Sequence, residues 1–381
     1  MIGLIAAMAF QNPGVLTFPD PTLSDTCVAA VVKLPQLGGQ DWQTLELIAQ
    51  VLPEGSLTYS RRTIIQLTDG NPLHVVLQPD ALIVSVDAPA AKAANAVKVI
   101  ASILTEPDLD QSELDEGADQ LAAQKPRYYD EAISRIKYGL GHLQNEVALN
   151  LFQRIFRPDK VTVAFGGAGG FGEMQAQWTD LTSKWEAQDV DSDPNMAPAE
   201  PVLSRDEVQG LMLHGPGIAA NSPDLPADML AMYGLGVGKG SSLFRIPREK
   251  HAWSYRQEAF LWPTLTGWEP RLFMASLRKN FSETMISDLK KDLSDDVNAW
   301  TEDDRSRAIQ MMEATLIRGV PYGAVWLGTQ PVGDTLQDRT EMADYWQAKT
   351  GQKWDPAKLI DTCRTIDLAQ MKAAALRILG G

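Results

Sequence analysis

The stretch Gly238-Lys-Gly-Ser-Ser-Leu-Phe-Arg-Ile-Pro-Arg-Glu-Lys-His-Ala-Trp-Ser-Tyr-Arg256 concentrates basic and aromatic residues in an otherwise acidic chain. The remainder sets the contrast: 49 Asp+Glu against 34 Lys+Arg give a formal charge of -15 over 381 residues. A field of that sign repels a phosphate backbone, so nucleic acid is excluded as the expected partner. At roughly 100 to 200 residues per domain the length predicts two domains. A hydrophobic content of 44% supplies each with a core and excludes whole-chain disorder. No apolar run reaches the ~18 residues of a spanning helix, so no transmembrane segment is expected. The longest, Ile2 to Phe10, resembles the end of a secretory h-region with a small-x-small site at Ala7-Met8-Ala9, but lacks a basic n-region. A periplasmic or secreted location follows if that segment is a signal remnant, and a cytoplasmic one otherwise.

Towards the N-terminus the pattern reads as strands and helices in one order. Cys27 to Leu34 is a buried-type strand, and Trp42 to Leu52 places Leu45, Ile48, Ala49 and Leu52 at helical spacing. A short helix starts at Ser60 and stops at Asp69-Gly70. Leu73 to Gln78 and Leu82 to Val86 form strands about the turn at Pro79-Asp80. Helices are expected over Ala90 to Leu104, Ser112 to Gln124 and Tyr129 to Phe152, broken at Pro107 and Pro126. Lys160 to Phe165 is another strand, followed by glycines and a helix over Glu173 to Trp185. Residues 187–205 are acidic and proline-rich with no periodic apolar face, and read as a linker. Beyond it the order restarts with Val208 to Leu213, a helix near Asp228 to Tyr233, the quoted glycine-rich stretch, strands at Tyr255 to Leu261 and Arg271 to Leu277, and further helices. Gly55-Ser56-Leu57 and Gly240-Ser241-Ser242-Leu243 hold similar places in the two series. The chain therefore reads as an α+β duplication with halves at 1–186 and 206–381, each a mainly antiparallel sheet with helices on one face. The second half is expected to end on a helix without a counterpart of Lys160 to Phe165.

Familiar chemical motifs fail in this background. Gly167-x-Gly169-x-x-Gly172 lies between a strand and a helix, but no acid ends a second strand about 20 residues on, so a strand-to-helix turn is the better reading. Gly234 to Ser242 resembles a phosphate loop out of register. An independent nucleotide-binding enzyme would rest on these glycines alone. The four histidines lack zinc spacing: His74 sits in a strand, His142 is a helical turn before Glu146, His214 ends a strand, and His251 lies in a basic helix end. Cys27 and Cys363 make neither a zinc knuckle nor a disulfide framework, and whether they pair is left open.

The quoted segment resembles the C-terminal-half signature of the pitrilysin/insulinase family of inverted zincins. There a Gly-Ser-Leu-Phe-type helix runs into Arg-Glu-Lys and then a tyrosine. Arg248 and Tyr255 match that family's Arg and Tyr at a separation of seven, whereas Ala252, Trp253 and Ser254 depart from its usual Gly, Leu and Ala. The order of elements extends the resemblance along nearly the whole chain. Counting back from Gly55, Glu46-Leu47-Ile48-Ala49-Gln50 stands in the place of H-x-x-E-H. The degenerate positions Glu46, Ala49 and Gln50 remove both zinc-binding histidines and the glutamate that activates water. The later acidic ligand, expected around Ala122 to Lys125, has no carboxylate there.

The resemblance implies a non-catalytic subunit of a heterodimeric zinc peptidase, similar to the alpha subunit of mitochondrial processing peptidase. No cofactor is expected in this chain, and zinc would be held by an H-x-x-E-H-bearing paralogous partner. Tyr255 would donate to the oxyanion formed when zinc-bound water attacks the scissile carbonyl, and Arg248 would hold a substrate carbonyl or carboxylate. The substrate implied is an unfolded peptide, basic if the negative field takes part. The competing reading of the same fold is a catalytically dead structural or peptide-binding scaffold, including a homodimer.

Overall fold

Why a run such as Asp25-Thr-Cys-Val-Ala-Ala-Val-Val-Lys33 carries no polar alternation is settled by its burial. In the computed structural model this strand is buried from Thr26 to Val32 on both faces, which removes the need for a solvated side. The structure describes residues 14–123, 143–187, 210–276, 282–317, 325–327 and 335–380. They fall into two compact units, the first made of Met1–Leu77, Ala81–Leu121 and Leu140–Ala197, the second of Gln78–Asp80, Ala122–Gly139 and Pro198–Gly381. The N-terminal apolar segment, residues 188–205 of the linker, His142, and the expected helix from Tyr129 up to Gly141 lie outside the described residues.

The first unit holds strands β1 (Gly14–Pro19), β2 (Asp25–Lys33), β3 (His74–Leu77), β4 (Ala81–Pro89) and β5 (Val161–Gly167) in the order β1-β5-β2-β4-β3. All pairings are antiparallel except β1 with β5. Its helices are α1 (Gly39–Val51), α2 (Arg61–Leu67), α3 (Ala93–Thr105), α4 (Gln111–Ala123), α5 (Asn145–Ile155) and α6 (Phe171–Thr182). One face of the sheet, with Val28, Ala30, Val84, Val86, Val163 and Phe165, forms a single core with Leu45 and Ile48 of α1 and Val97 and Ile100 of α3. Ser60 caps α2 through the Thr63 amide, as its position predicted. The glycines after β5 form a strand-to-helix turn, with Gly167 at φ +89° and Gly169 facing the Thr26 hydroxyl.

The second unit holds β6 (Gly210–His214), β7 (Ile218–Ala219), β8 (Ser254–Thr264), β9 (Gly267–Ser276) and β10 (Val325–Leu327). Its helices are α7 (Leu225–Gly236), α8 (Glu283–Asn298), α9 (Glu302–Leu316), α10 (Leu336–Thr350), α11 (Pro356–Thr365) and α12 (Leu368–Leu379), with a π-helical turn at Phe244–Lys250. The sheet order is β10-β8-β9-β6, with β7 also on β9. Helix α7 is buried on every side from Asp228 to Gly236, so its sequence is apolar throughout instead of amphipathic. The one carboxylate in it, Asp228, accepts from Arg377 of α12 at 2.5 Å. Burial raises the Asp228 pKa, and the Arg377 charge and hydrogen bond oppose the rise.

Each unit is thus a mainly antiparallel sheet with helices, the α+β class read from the sequence. The expectation for the last strand needs correction. The second unit does have a late strand, β10, but it runs parallel to β8 at a sheet edge, whereas β5 lies inside its sheet between β1 and β2. Both cysteines are buried and neither is in a disulfide; burial pushes the Cys363 pKa up to about 12. No helix among the described residues is long and apolar enough to cross a membrane.

Candidate functional site

In the first unit, α1 turns Thr44, Leu45, Leu47, Ile48 and Val51 inward. Glu46, Ala49 and Gln50, at i, i+3 and i+4, therefore share its half-exposed face. Arg154 of α5 pairs with Asp41 in the first turn of α1 and fixes that end. The other end meets α4 at Gly117. A Cβ there would lie 2.8 Å from Val51 Cγ2 and 3.1 Å from Leu47 Cδ1, so a larger residue would have to displace these methyl groups. One turn further along α4, Gln120 Oε1 accepts from Gln50 Nε2 at 2.8 Å. Gln120 Nε2 in turn donates to Glu116 Oε1 at 3.2 Å.

These residues do not fit zinc. The face offers two neutral amides, one carboxylate and no imidazole, and a metal would have to displace the amide hydrogen bond. Among the described residues no group of three or more His, Cys, Asp or Glu side chains is placed to hold a metal ion. Among the described residues, the α4 side chain that meets this face of α1 is Gln120; the side chains of Ala122 to Lys125, where the acidic ligand was expected, lie outside the described residues. Gly117-x-x-Gln120 was the available signal in the sequence, and it is intelligible only once the crossing is known.

In the second unit, the residues of the quoted segment are brought together by two local irregularities. Pro247 lies inside the turn Phe244–Lys250 and has no amide hydrogen to give, so the chain winds wide there. The turn closes through Trp253 N donating to Pro247 O at 2.7 Å and Ala252 N to Arg248 O at 3.1 Å, with Ala252 left-handed at φ +52°. This conformation is the one a glycine adopts freely, which explains the residue usual in the resembling family. Next, β8 pairs Ser254 with Ser276 and Arg256 with Ala275, leaving Tyr255 as the extra residue of a bulge. The bulge turns its side chain outward, and it is 66% exposed.

Arg248 Nη1 donates to the Tyr255 carbonyl at 2.8 Å, and its Cζ lies 4.7 Å from the Phe244 ring and 5.6 Å from the Tyr255 ring. The guanidinium is thus held between two aromatic faces with further N–H groups available. The Tyr255 hydroxyl has no hydrogen-bond partner among the described residues. The structure therefore places the two side chains singled out by the resemblance side by side.

Sequence reasoning missed what holds them. Arg245 Nε and Nη2 grip the two oxygens of Asp296 on α8 at 3.0 and 2.7 Å, and Nη1 donates to Asp304 of α9 at 3.0 Å and to the Gly240 carbonyl at 2.8 Å. Ser242 Oγ also donates to Asp296, at 2.6 Å. One turn earlier on α8, Asp292 accepts from Lys250 Nζ and contacts His251 Nε2, both at 2.7 Å. Hydrogen bonding from Lys250 lowers the Asp292 pKa, against a smaller opposing effect of burial and with help from His251. Burial acts to raise Asp304, but hydrogen bonds from Thr301 and Arg245 outweigh it and the pKa falls. Two carboxylates at i and i+4 on α8 thus clamp both ends of the turn that carries Arg248.

No protein-family model matches the sequence, and no curated protein is similar to it in sequence. Solved structures do match. The chain superposes on a peptidase M16 inactive domain from Pseudomonas fluorescens with TM-score 0.71 and 16% identity, over 97% of this chain and 93% of that one. A protease from Helicobacter pylori gives TM-score 0.76 at 10% identity over 96% and 94%. A conserved protein from Enterococcus faecalis V583 gives 0.65 at 13% over 97% and 95%. Likeness at these identities establishes architecture alone: over nearly its full length the chain shares the fold of these three structures.

Proposed function

We propose that this chain is the non-catalytic, substrate-binding subunit of a two-chain zinc peptidase, acting with an H-x-x-E-H-bearing paralogue on unfolded peptides. The observation that carries the reading is the pairing of an exposed Tyr255 hydroxyl, without a partner among the described residues, with an Arg248 guanidinium held in place by a backbone carbonyl and two rings. A bulge, a π-turn and two carboxylate clamps are devoted to presenting these groups, although neither contributes to a buried core. Tyr255 is the donor to the oxyanion of the tetrahedral intermediate, and Arg248 binds a backbone carbonyl or carboxylate of the substrate. Zinc, nucleophilic water and general base belong to the partner, since Glu46, Ala49 and Gln50 supply none of them.

The likeness to a structure described as a peptidase M16 inactive domain supports a domain without peptidase chemistry of its own, although the protease shares the fold. A structural scaffold of the same fold predicts the same α1 but assigns no task to Arg248 and Tyr255. The two readings part in reconstitution. The chain is purified alone and with an H-x-x-E-H-bearing paralogue, and zinc content and cleavage of a fluorogenic unfolded peptide are measured. The proposal expects neither zinc nor cleavage from this chain alone, and both from the pair, with cleavage lowered by Arg248→Ala. Stoichiometric zinc and peptide hydrolysis by the chain alone would refute it, as would pair activity indifferent to Arg248→Ala.

A further inference from the structure

Buried in the second unit, to which Gln78–Asp80 belong, an amine and a carboxyl group lie in direct contact. Lys349 Nζ of α10 is 2.5 Å from Asp80 Oδ2, and the two side chains are only 4% and 9% exposed. The Tyr345 hydroxyl, one turn earlier on α10, faces both carboxylate oxygens as a shared donor, Oδ1 at 3.0 Å and Oδ2 at 3.2 Å. Lys349 Nζ is further fixed by the Thr264 carbonyl at 2.9 Å and by the Trp268 ring, whose centre is 4.6 Å away. We propose that Asp80 and Lys349 condense into an isopeptide bond, with the Tyr345 hydroxyl as the donor that assists the step. Arg248 and Tyr255 take no part in it, so it goes beyond the subunit reading and does not depend on it.

Amide formation needs the amine and the acid in their neutral forms, and the surroundings favour both. Burial raises the Asp80 pKa and lowers that of Lys349, in each case against the pull of the opposite charge. A proton passing from Nζ to Oδ2 across their contact leaves an amine lone pair beside a carboxylic acid, the state in which a desolvated lysine is a nucleophile. Nζ then bonds to Asp80 Cγ, and the carbonyl electron pair moves onto Oδ1, where Tyr345 donates to the oxyanion. A second proton moves from the nitrogen to Oδ2, the Cγ–Oδ2 bond breaks and water leaves. One C–N bond is made, one C–O bond is broken, and no outside reactant enters.

Between separate molecules in water this condensation is unfavourable. Here the fold holds the groups in contact, an arrangement that reaches effective molarities of about 10⁵–10⁸ M in well-oriented intramolecular reactions. Burial keeps water from the product. A pair of charges left in the same place gains little over apolar residues of similar size. An amide there instead joins positions 269 residues apart and constrains the unfolded chain as a long-range disulfide does.

The test is the mass of the full chain under denaturing conditions, followed by tandem mass spectrometry of its tryptic peptides. The proposal expects a mass one water below that of the sequence, and a branched peptide in which Asp80 is joined to Lys349. Lys349→Ala and Asp80→Ala should each return the full mass of their own sequence. In freshly translated chain, Tyr345→Phe should slow the loss of water by about a hundredfold, the effect of removing one oxyanion donor; an unchanged rate would overturn the role given to Tyr345.

The native chain decides even if the variants fold poorly, because its mass is read unfolded. A full sequence mass would overturn the proposal and leave an ion pair. So would a lost water without the branched peptide, the result of succinimide closure at Asp80. Neither zinc nor cleavage is read, so failure here leaves the subunit reading standing, and failure of that reading leaves this one.

Discussion

At the scale of single residues, the backbone around Tyr255 shows where this chain departs from what its conformation favours. Ala252 holds φ +52° with a Cβ that clashes in that region, whereas glycine adopts it freely. Ala252→Gly should therefore raise stability by about 0.5 kcal/mol, the ~1 kcal/mol of relieved strain less the extra freedom glycine has in the unfolded chain. Urea denaturation at fixed slope measures it, and a loss of stability would contradict the assignment of strain. The same residue shows how far the sequence could be read. Arg248 and Tyr255 were singled out through the resemblance of their segment to a known family, at a separation of seven, and the structure sets the two side chains close together. The left-handed Ala252 was not, because nothing in an Ala-Trp-Ser string marks a positive φ. Gln120 was hidden for a different reason: a glutamine has no chemical signature, and only the Gly117 crossing brings it to Gln50.

At the scale of elements, the order of strands and helices was legible from apolar periodicity, and the clamp on the π-turn was not. Asp292 and Asp296 read in sequence as a solvated acidic face of α8, since i, i+4 spacing fixes which residues share a side but not what packs there. The clamp makes two predictions. Asp296→Ala strips Arg245 of a bidentate partner and leaves Ser242 without its acceptor. It should cost about 2 kcal/mol, the range for charge-assisted hydrogen bonds, by chemical denaturation. Asp292 titrates below the ordinary carboxylate range because Lys250 and His251 hold its charged form. A folded pKa lowered in this way contributes stability that is present above the unfolded value and lost as pH falls through the folded one. Asp292→Asn should therefore be less stable than the native chain at pH 7, with the gap narrowing as the pH falls below the ordinary carboxylate range, for instance at pH 3. Urea midpoints at the two values check it; a gap that stays constant would mean the carboxylate charge is not what Lys250 and His251 hold. Strand pairing was the other illegible feature. Val325–Leu327 gives no sign in its three residues that it joins β8 in parallel at an edge.

At the scale of the whole chain, the described residues form two α+β units, and each presents a different set of side chains. The first brings Glu46, Ala49 and Gln50 to one half-exposed face of α1, where Gln50 is bridged to Gln120 and the residues do not fit zinc. The second retains Arg248 and Tyr255, with a bulge and two clamps to present them. That division is the central claim, and it converges on one hydroxyl. The measurement is kcat for an unfolded basic peptide by the reconstituted pair, native against Tyr255→Phe, with zinc content followed alongside. The account predicts that kcat falls by about a hundred- to a thousandfold, the usual effect of losing one oxyanion donor, while zinc in the pair is unchanged. An unchanged kcat would contradict it and leave the chain a scaffold.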